Sequence, residues 1–227
     1  MALILNIDTA TTLGSVSLAM DGKLLGERVN GQSMDHATWI HVAIAELLNE
    51  KNRSYNIEDL NAVAVVAGPG SYTGLRVGMA TAKGLCYAVN SRLIALNTLK
   101  IMAYATNKEI YPSQLLCPML DARRMEVFTA LYDTALNELI APCAMILDED
   151  SFSAWLNKTE VVFFGSGINK WSAMARSNNA IFRDSFYTPA DLASVSYKAY
   201  TVNDFADIAY TEPIYLKEFY APRKLSG

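Results

Sequence analysis

The segment Gly68-Pro69-Gly70-Ser71-Tyr72-Thr73-Gly74 follows a continuous apolar run and opens a helical pattern. In that order, backbone N–H groups and a helix N-terminus can hold an anion. Two nucleotide motifs are absent. Leu75-Arg76 stands where a Walker A loop needs Lys-Ser/Thr, and position 73, which the dinucleotide fingerprint requires to be Gly, is Thr. The pattern leaves two readings open: an anion cradle, or a conformational loop whose glycines serve special backbone angles while Thr73 caps the helix. Asp8 and Asp121 each end the first strand of an apparent half. In a two-lobed nucleotide-binding fold such a pair can hold metal-bound phosphate from both sides; the competing role is turn capping. The residues that follow, Thr9-Ala10-Thr11-Thr12 and Ala122-Arg123-Arg124-Met125, lack the glycine that lets a phosphate approach the backbone. That counts against ATP hydrolysis by this chain. Arg123 and Arg124 are placed either to meet an anion or to be solvated at the surface.

His36 and His41 are the two histidines. Five residues apart on a helix, they project about 140° apart around the axis, unlike an i, i+4 zinc pair. They are expected to be packed or interfacial. A Ser–His–Asp triad has little to draw on, and no Gly-x-Ser-x-Gly elbow occurs. Cys86, Cys117 and Cys143 are odd in number and far apart, with no C-x-x-C pair, which indicates neither a disulfide framework nor a zinc site. Each is expected as a buried, inert thiol. In the helix after the glycine segment, Gly74, Gly78, Thr81, Leu85 and Ala88 recur at helical spacing, with Gly84 beside them. A glycine inside a helix costs about 1 kcal/mol relative to alanine. This face is therefore expected to pack closely, either on its own sheet or on another subunit.

The elements that position these residues read as two similar halves. Residues 2–8, 15–20 and 23–29 form a strand meander with a turn at Asp21-Gly22. A helix over 35–49 places Ile40, Ile44 and Leu47 on one face, and the apolar run 62–67 suits a strand covered on both sides. A helix to about 89, a strand at 93–96 and a helix opened by Asn97-Thr98 follow. The second half runs through strands at 115–120, 126–132 and 139–147, the last interrupted by Pro142. A short helix at 152–156, a strand at 161–164 and a helix over 169–176 come next. Thr188-Pro189-Ala190-Asp191 then reads as a helix start. The repeated order predicts an α/β protein of two lobes, residues 1–103 and 104–227, with a cleft between them where ligands usually sit. The apolar tail over 212–216 is expected to dock, packing back on the first lobe.

The chain has 227 residues, of which 52% are hydrophobic, which excludes a disordered protein. Lys+Arg number 19 against 23 Asp+Glu, a net charge of -4. A stand-alone nucleic-acid binder shows a basic excess, so a role near RNA needs a partner that carries the positive charge. No run approaches the roughly 18 apolar residues of a spanning helix, and the opening residues lack a signal-peptide pattern. The expected location is cytoplasmic, with no membrane partner.

Ile7-Asp8-Thr9-Ala10, the Gly68-Pro69-Gly70-Ser71-Tyr72-Thr73-Gly74-Leu75-Arg76-Val77-Gly78 stretch, Asn97-Thr98-Leu99, Asp121-Ala122-Arg123-Arg124-Met125-Glu126-Val127-Phe128 and Glu212-Pro213-Ile214-Tyr215-Leu216 occur in that order. Together they resemble the bacterial TsaB (YeaZ) family, accessory subunits of the tRNA threonylcarbamoyladenosine machinery. The resemblance runs essentially end to end, and the glycine-rich stretch is its most specific part. It implies a duplicated ribonuclease-H-like (actin-like ATPase, ASKHA) fold with mixed sheets and flanking helices. It also implies a catalytic paralogue, TsaD, a third protein, the ATPase TsaE, and a homodimer when the chain is alone. TsaD carries a His pair at i, i+4 after the strand matching 93–96; here Asn97-Thr98-Leu99-Lys100-Ile101-Met102-Ala103 has none. Family members pair through the first two helices. The implied interface residues are Ile40, Ile44, Leu47, Gly74, Gly78, Thr81 and Leu85. Arg124-Met125 stands where the family carries Met-Gly, a stiffer turn.

The expectation is a non-catalytic scaffold subunit that binds and activates TsaD for threonylcarbamoyl transfer to the adenosine beside the anticodon, with tRNA contacted only indirectly. It has no intrinsic cofactor and no metal site. ATP or ADP at the subunit junction would meet Asp8, Thr9, Ala10, Gly68, Gly70 and Ser71. The alternative is an enzyme in its own right, an ATP-dependent transferase or a metallopeptidase-like protein working in the cleft.

Overall fold

The computed structural model describes residues 1–31, 36–50 and 53–217. The first half consists of β1 (Leu3–Asp8), β2 (Ser15–Met20), β3 (Lys23–Val29), α1 (His36–Leu48), the short paired strands β4 (Asn49–Glu50) and β5 (Arg53–Ser54), β6 (Ala62–Gly68), α2 (Tyr72–Val89), β7 (Arg92–Asn97) and α3 (Thr98–Thr106). The second half repeats the order with β8 (Leu115–Asp121), β9 (Glu126–Tyr132), β10 (Glu138–Ile146), α4 (Ser153–Leu156), β11 (Val161–Phe164), α5 (Ile168–Ser172), β12 (Ala180–Arg183) and α6 (Pro189–Thr201). The two five-stranded sheets have the orders β3-β2-β1-β6-β7 and β10-β9-β8-β11-β12. In each, an antiparallel meander continues into parallel strands. This is the expected duplicated ribonuclease-H-like topology.

Burial on both faces explains the strand compositions. Along β1, Leu3, Leu5 and Ile7 pack under α1 and α2, while Ile4 faces the opposite core. β11 divides in the same way: Val161 and Phe163 pack with Trp171 of α5, and Val162 and Phe164 join the central core. Side chains alternate across a strand, so a strand buried on both faces reads as a continuous apolar run. The layers run α1/α2, first sheet, α3/α6, second sheet, α4/α5.

The middle layer joins the halves. α3 packs on β8 and β9 of the second sheet as well as on β6 and β7 of its own, and α6 packs on β1, β2, β3 and β7 of the first. The division at 103/104 falls inside α3. The tail also returns to the first sheet. The Ala206 N–H donates to Leu93 O and the Ile214 N–H to Ala67 O, while Lys83 Nζ donates to Ala209 O and Thr211 O.

Local chemistry sets the element ends. Asp21 and Gly22 both adopt positive φ, as a two-residue hairpin turn requires. Asn97 accepts from the Leu99 and Lys100 N–H groups at the start of α3. Thr188 and Asp191 form a capping box on α6, with Pro189 at the first helical position. The α2 cap differs from expectation: Ser71, not Thr73, accepts from Gly74 N. Gly74 already packs against the Thr9 turn, so the helix is capped two residues earlier. Asp35, the expected start of α1, lies outside the described residues. α5 is shorter than the predicted 169–176, and Pro142 sits at a register shift of the edge strand β10. β12, a half-buried edge strand, carries no signal that sequence patterning picked up.

Candidate functional site

The ends of β1 and β8 face each other across a cleft of about 820 Å³. Thr11, Thr12, Gly70, Ser71, Tyr72 and Thr73 line it from the first half, and Asp121, Ala122, Arg123, Ser166 and Phe186 from the second. Ala10, Gly70 and Ser71 of the expected ligand set reach this lining; Asp8, Thr9 and Gly68 do not.

Asp8 is 5% exposed. Its Oδ1 accepts from the Ala10 N–H at 2.9 Å and its Oδ2 from the Tyr187 hydroxyl at 2.7 Å. Burial raises its pKa above the usual carboxylate range, partly offset by these two bonds. Burial and the carboxylate together push the Tyr187 phenol well above its ordinary value.

The glycines are accounted for by contact with this turn. A Cβ at Gly70 would lie 2.3 Å from Ala10 O, one at Gly74 2.0 Å from Thr9 O, and one at Gly78 2.3 Å from Thr9 Oγ1. At Gly68, where φ is +120°, it would meet Ile214 O at 2.8 Å. The turn is further tied to α2 by Thr9 Oγ1 donating to Gly74 O at 2.6 Å and by Ser71 N donating to Ala10 O at 2.7 Å. The actin-like fold implies a nucleotide held at such a loop, and Asp8 and the loop glycines do not fit its phosphates. The chain's own backbone fills the space beside the glycines, and both Asp8 oxygens are engaged.

Asp121, the topological counterpart of Asp8, is more open. Lys170 Nζ donates to its Oδ1 at 2.8 Å and the Arg123 N–H at 2.6 Å; the Lys170 bond is the main cause of a lowered pKa. Arg123 and Arg124 both hold positive φ, 68° and 51°, a conformation unfavourable to residues with a Cβ. Arg123 contributes to the cleft wall, and both side chains are exposed.

Among the described residues, no three or more His, Cys, Asp or Glu side chains converge as a metal site. His36 is packed, with its ring nitrogens 3.3 Å from Asn30 Nδ2 and Thr11 O. His41 is exposed and lines a groove of about 740 Å³ along α1 with Arg28, Val42, Ala45, Glu46, Asn49 and Glu50. Cys86 and Cys117 are buried, and burial pushes the Cys117 thiol up to about 12; Cys143 is only half-buried, less than expected.

The expected interface residues need correction. Ile40, Ile44 and Leu47 are the apolar stripe that covers the first sheet, and Gly74, Gly78 and Thr81 are buried against the same layer. Leu85 packs partly on that core. They face this chain's own core, with Leu85 left half-exposed. The outward faces of the same two helices carry other residues. Ala80, Gly84 and Ala88 form an exposed ridge at i, i+4, i+8 on α2, with Tyr87 85% exposed beside it. α1 presents Thr38, His41, Ala45 and Val42, the last 57% exposed. The periodic residues that sequence spacing picked out on these two helices are their inward faces.

Comparison with known proteins follows the same fold. A family model described as TsaD, tRNA N6-adenosine threonylcarbamoyltransferase, matches residues 23–213. The chain is 28% identical to the tRNA threonylcarbamoyladenosine biosynthesis protein TsaB of Escherichia coli (strain K12), covering 99% of this chain and 98% of that protein. It is 29% identical to TsaB of Bacillus subtilis (strain 168), over 71% of this chain and 69% of that protein. The solved structure of YeaZ from Pseudomonas aeruginosa is similar with a TM-score of 0.76 at 23% identity, covering 95% of this chain and all of that one.

Proposed function

The chain belongs to the TsaD family described by that model and, within it, to the TsaB/YeaZ group, and on that premise we propose that it is a non-catalytic subunit that docks and activates a TsaD partner. Its role lies in tRNA threonylcarbamoyladenosine biosynthesis. The transfer itself, to the adenosine beside the anticodon, is the partner's. The observation that carries the docking is the outward face of α2. Gly74 and Gly78 are explained by the Thr9 turn, but a Cβ at Gly84 would meet none of the described residues within 4 Å. An exposed interior glycine costs helix stability of about 1 kcal/mol without an internal benefit. Close approach of another helix along Ala80, Gly84 and Ala88 supplies the reason. Val42 on α1 and Tyr87 on α2 add exposed apolar area on the same side of the sheet.

The same surface serves a homodimer when the chain is alone, and TsaE joins the assembly with TsaD. ATP or ADP at the junction would meet the open rim of the loop, Thr11, Thr12 and Ser71, in place of the sealed Asp8. The net charge of -4 fits a subunit that leaves tRNA contact to its partners, in the cytoplasm.

The test is a double substitution at exposed positions, Val42→Glu with Gly84→Leu. The isolated chain should remain folded by circular dichroism, copurification with the cognate TsaD should be lost, and threonylcarbamoyladenosine in cellular tRNA should fall. Intact copurification and unchanged nucleoside would refute the reading.

A further inference from the structure

The bond from Tyr187 to Asp8 joins residues 179 positions apart. Tyr187 immediately precedes the cap of α6, the second-half helix that packs on the first sheet. Asp8 ends β1 and opens the turn that touches α2. We propose that Tyr187 is a positioning residue whose hydroxyl latches the Asp8 turn, and through it fixes the N-terminal end of α2.

Four contacts form the connection. The Tyr187 hydroxyl donates to Asp8 Oδ2, and Asp8 Oδ1 accepts from Ala10 N. Ala10 O accepts from Ser71 N, and Thr9 Oγ1 donates to Gly74 O. Asp8, Thr9 and Ala10 are all buried, so water is a poor substitute partner for a broken bond in the turn. A buried acceptor that loses its donor keeps its full desolvation cost, which makes a break in the middle of such a chain expensive. The Tyr187 ring stacks on Phe186, centroids 4.7 Å apart, and Phe186 lines the cleft. The latch is therefore the point at which the second half meets the turn that seats α2.

The arrangement asks Asp8 for two oxygen-sized hydrogen-bonding atoms and not for a charge. An amide satisfies it: Asn Oδ1 accepts from Ala10 N, and Nδ2 donates to the Tyr187 oxygen, since a phenol both donates and accepts. A phosphate or cation role would instead require the carboxylate. The two roles thus give opposite outcomes for Asp8→Asn. The consequence for partner docking, that α2 is presented at an angle the latch sets, rests on the function proposed above.

Hydrogen exchange of the full isolated chain reads the latch directly, in peptides covering residues 71–78. Tyr187→Phe keeps the ring and removes the donor; exchange there should accelerate about tenfold or more, the factor expected for losing one hydrogen bond to a charged group. Asp8→Leu, which breaks the latch from the other end, should accelerate the same peptides and serves if the first variant folds poorly. Asp8→Asn, which keeps both bonds, should exchange no faster than the parent by the same measure. Unchanged exchange in Tyr187→Phe, or acceleration in Asp8→Asn equal to that in Asp8→Leu, overturns the latch. Binding to the cognate TsaD separates the two layers. If exchange responds and partner affinity does not, the latch stands and its link to docking is overturned; a matching loss of affinity supports both.

Discussion

Alanine placed at each of three glycines of α2 should give three different answers, because each added methyl group meets something different. At Gly84 it meets nothing within 4 Å, so only helix propensity acts, worth about 1 kcal/mol of stabilisation. For a chain of this size that raises the melting temperature by about 2–4 °C. At Gly74 the methyl would stand 2.0 Å from Thr9 O, a backbone atom that cannot rotate away. Overpacking of about 1–3 kcal/mol then exceeds the propensity gain, and the turn must move. At Gly78 the obstacle is Thr9 Oγ1 at 2.3 Å, a side-chain atom. It can rotate, but only by giving up its bond to Gly74 O. Thr9→Ala should therefore relieve Gly78→Ala, with a coupling of roughly 1 kcal/mol, and leave Gly74→Ala unrelieved. Urea unfolding of the isolated chain over a tenfold range of concentration measures all six variants, the four single and the two double, and separates folding from assembly. Equal stability of Gly74→Ala and Gly84→Ala, or no coupling at Thr9, would refute the contact argument.

The two equivalent aspartates should respond to pH with opposite signs. Asp121 has a lowered folded pKa, so its contribution is present above the unfolded value of 3.8 and is lost as pH falls through the lowered folded value; Asp121→Asn should destabilise at neutral pH, with the gap in melting temperature closing in acid. Asp8 has a raised folded pKa, so its contribution is present below 3.8 and is lost as pH rises through the raised folded value; Asp8→Asn should gain stability at neutral pH and match the parent in acid, and the same sign for both variants would contradict the assignment. Arg124→Gly should stabilise by about 1 kcal/mol, since glycine holds positive φ without a Cβ clash, as thermal unfolding would show.

Much of the fold is written locally. The strand pairs flanking Asp21-Gly22, the apolar runs of β6 and β11, and the caps at Asn97 and Thr188 depend on neighbours a few residues away, and each appears where its pattern predicts. The packing of α3 between both sheets and of α6 on the first leaves no such mark, because it is decided by which apolar face finds which sheet after both halves exist. The same limit explains the interface residues. Ile40, Ile44 and Gly78 carry the strongest periodic signal in α1 and α2, and a core demands that signal more than a partner does. The outward residues, Val42 and Ala45 on one helix and Ala80 and Gly84 on the other, are small or isolated and stand out only once the inward face is known. Tyr187 was invisible for a different reason: nothing near it in sequence hints that its hydroxyl finds Asp8.

A glycine-rich loop after a buried strand has two physical causes that sequence pattern alone does not separate, close approach of a ligand and close approach of the chain itself. Here the turn after β1 decides between them. Thr9-Ala10 is small enough to lie on α2 but carries backbone and side-chain atoms into the space beside Gly70, Gly74 and Gly78. Every one of those glycines then has an internal reason, and the anion reading loses its support at Asp8. Gly84 is the remainder that this account leaves. It sits on the far side of the same helix, exposed, with no atom of its own chain to make room for, and the cost of a helix-interior glycine still has to be offset. The docking proposed above would offset it from outside the chain, and on that reading the function of this molecule is better sought on the outer surface of α2 than in its cleft.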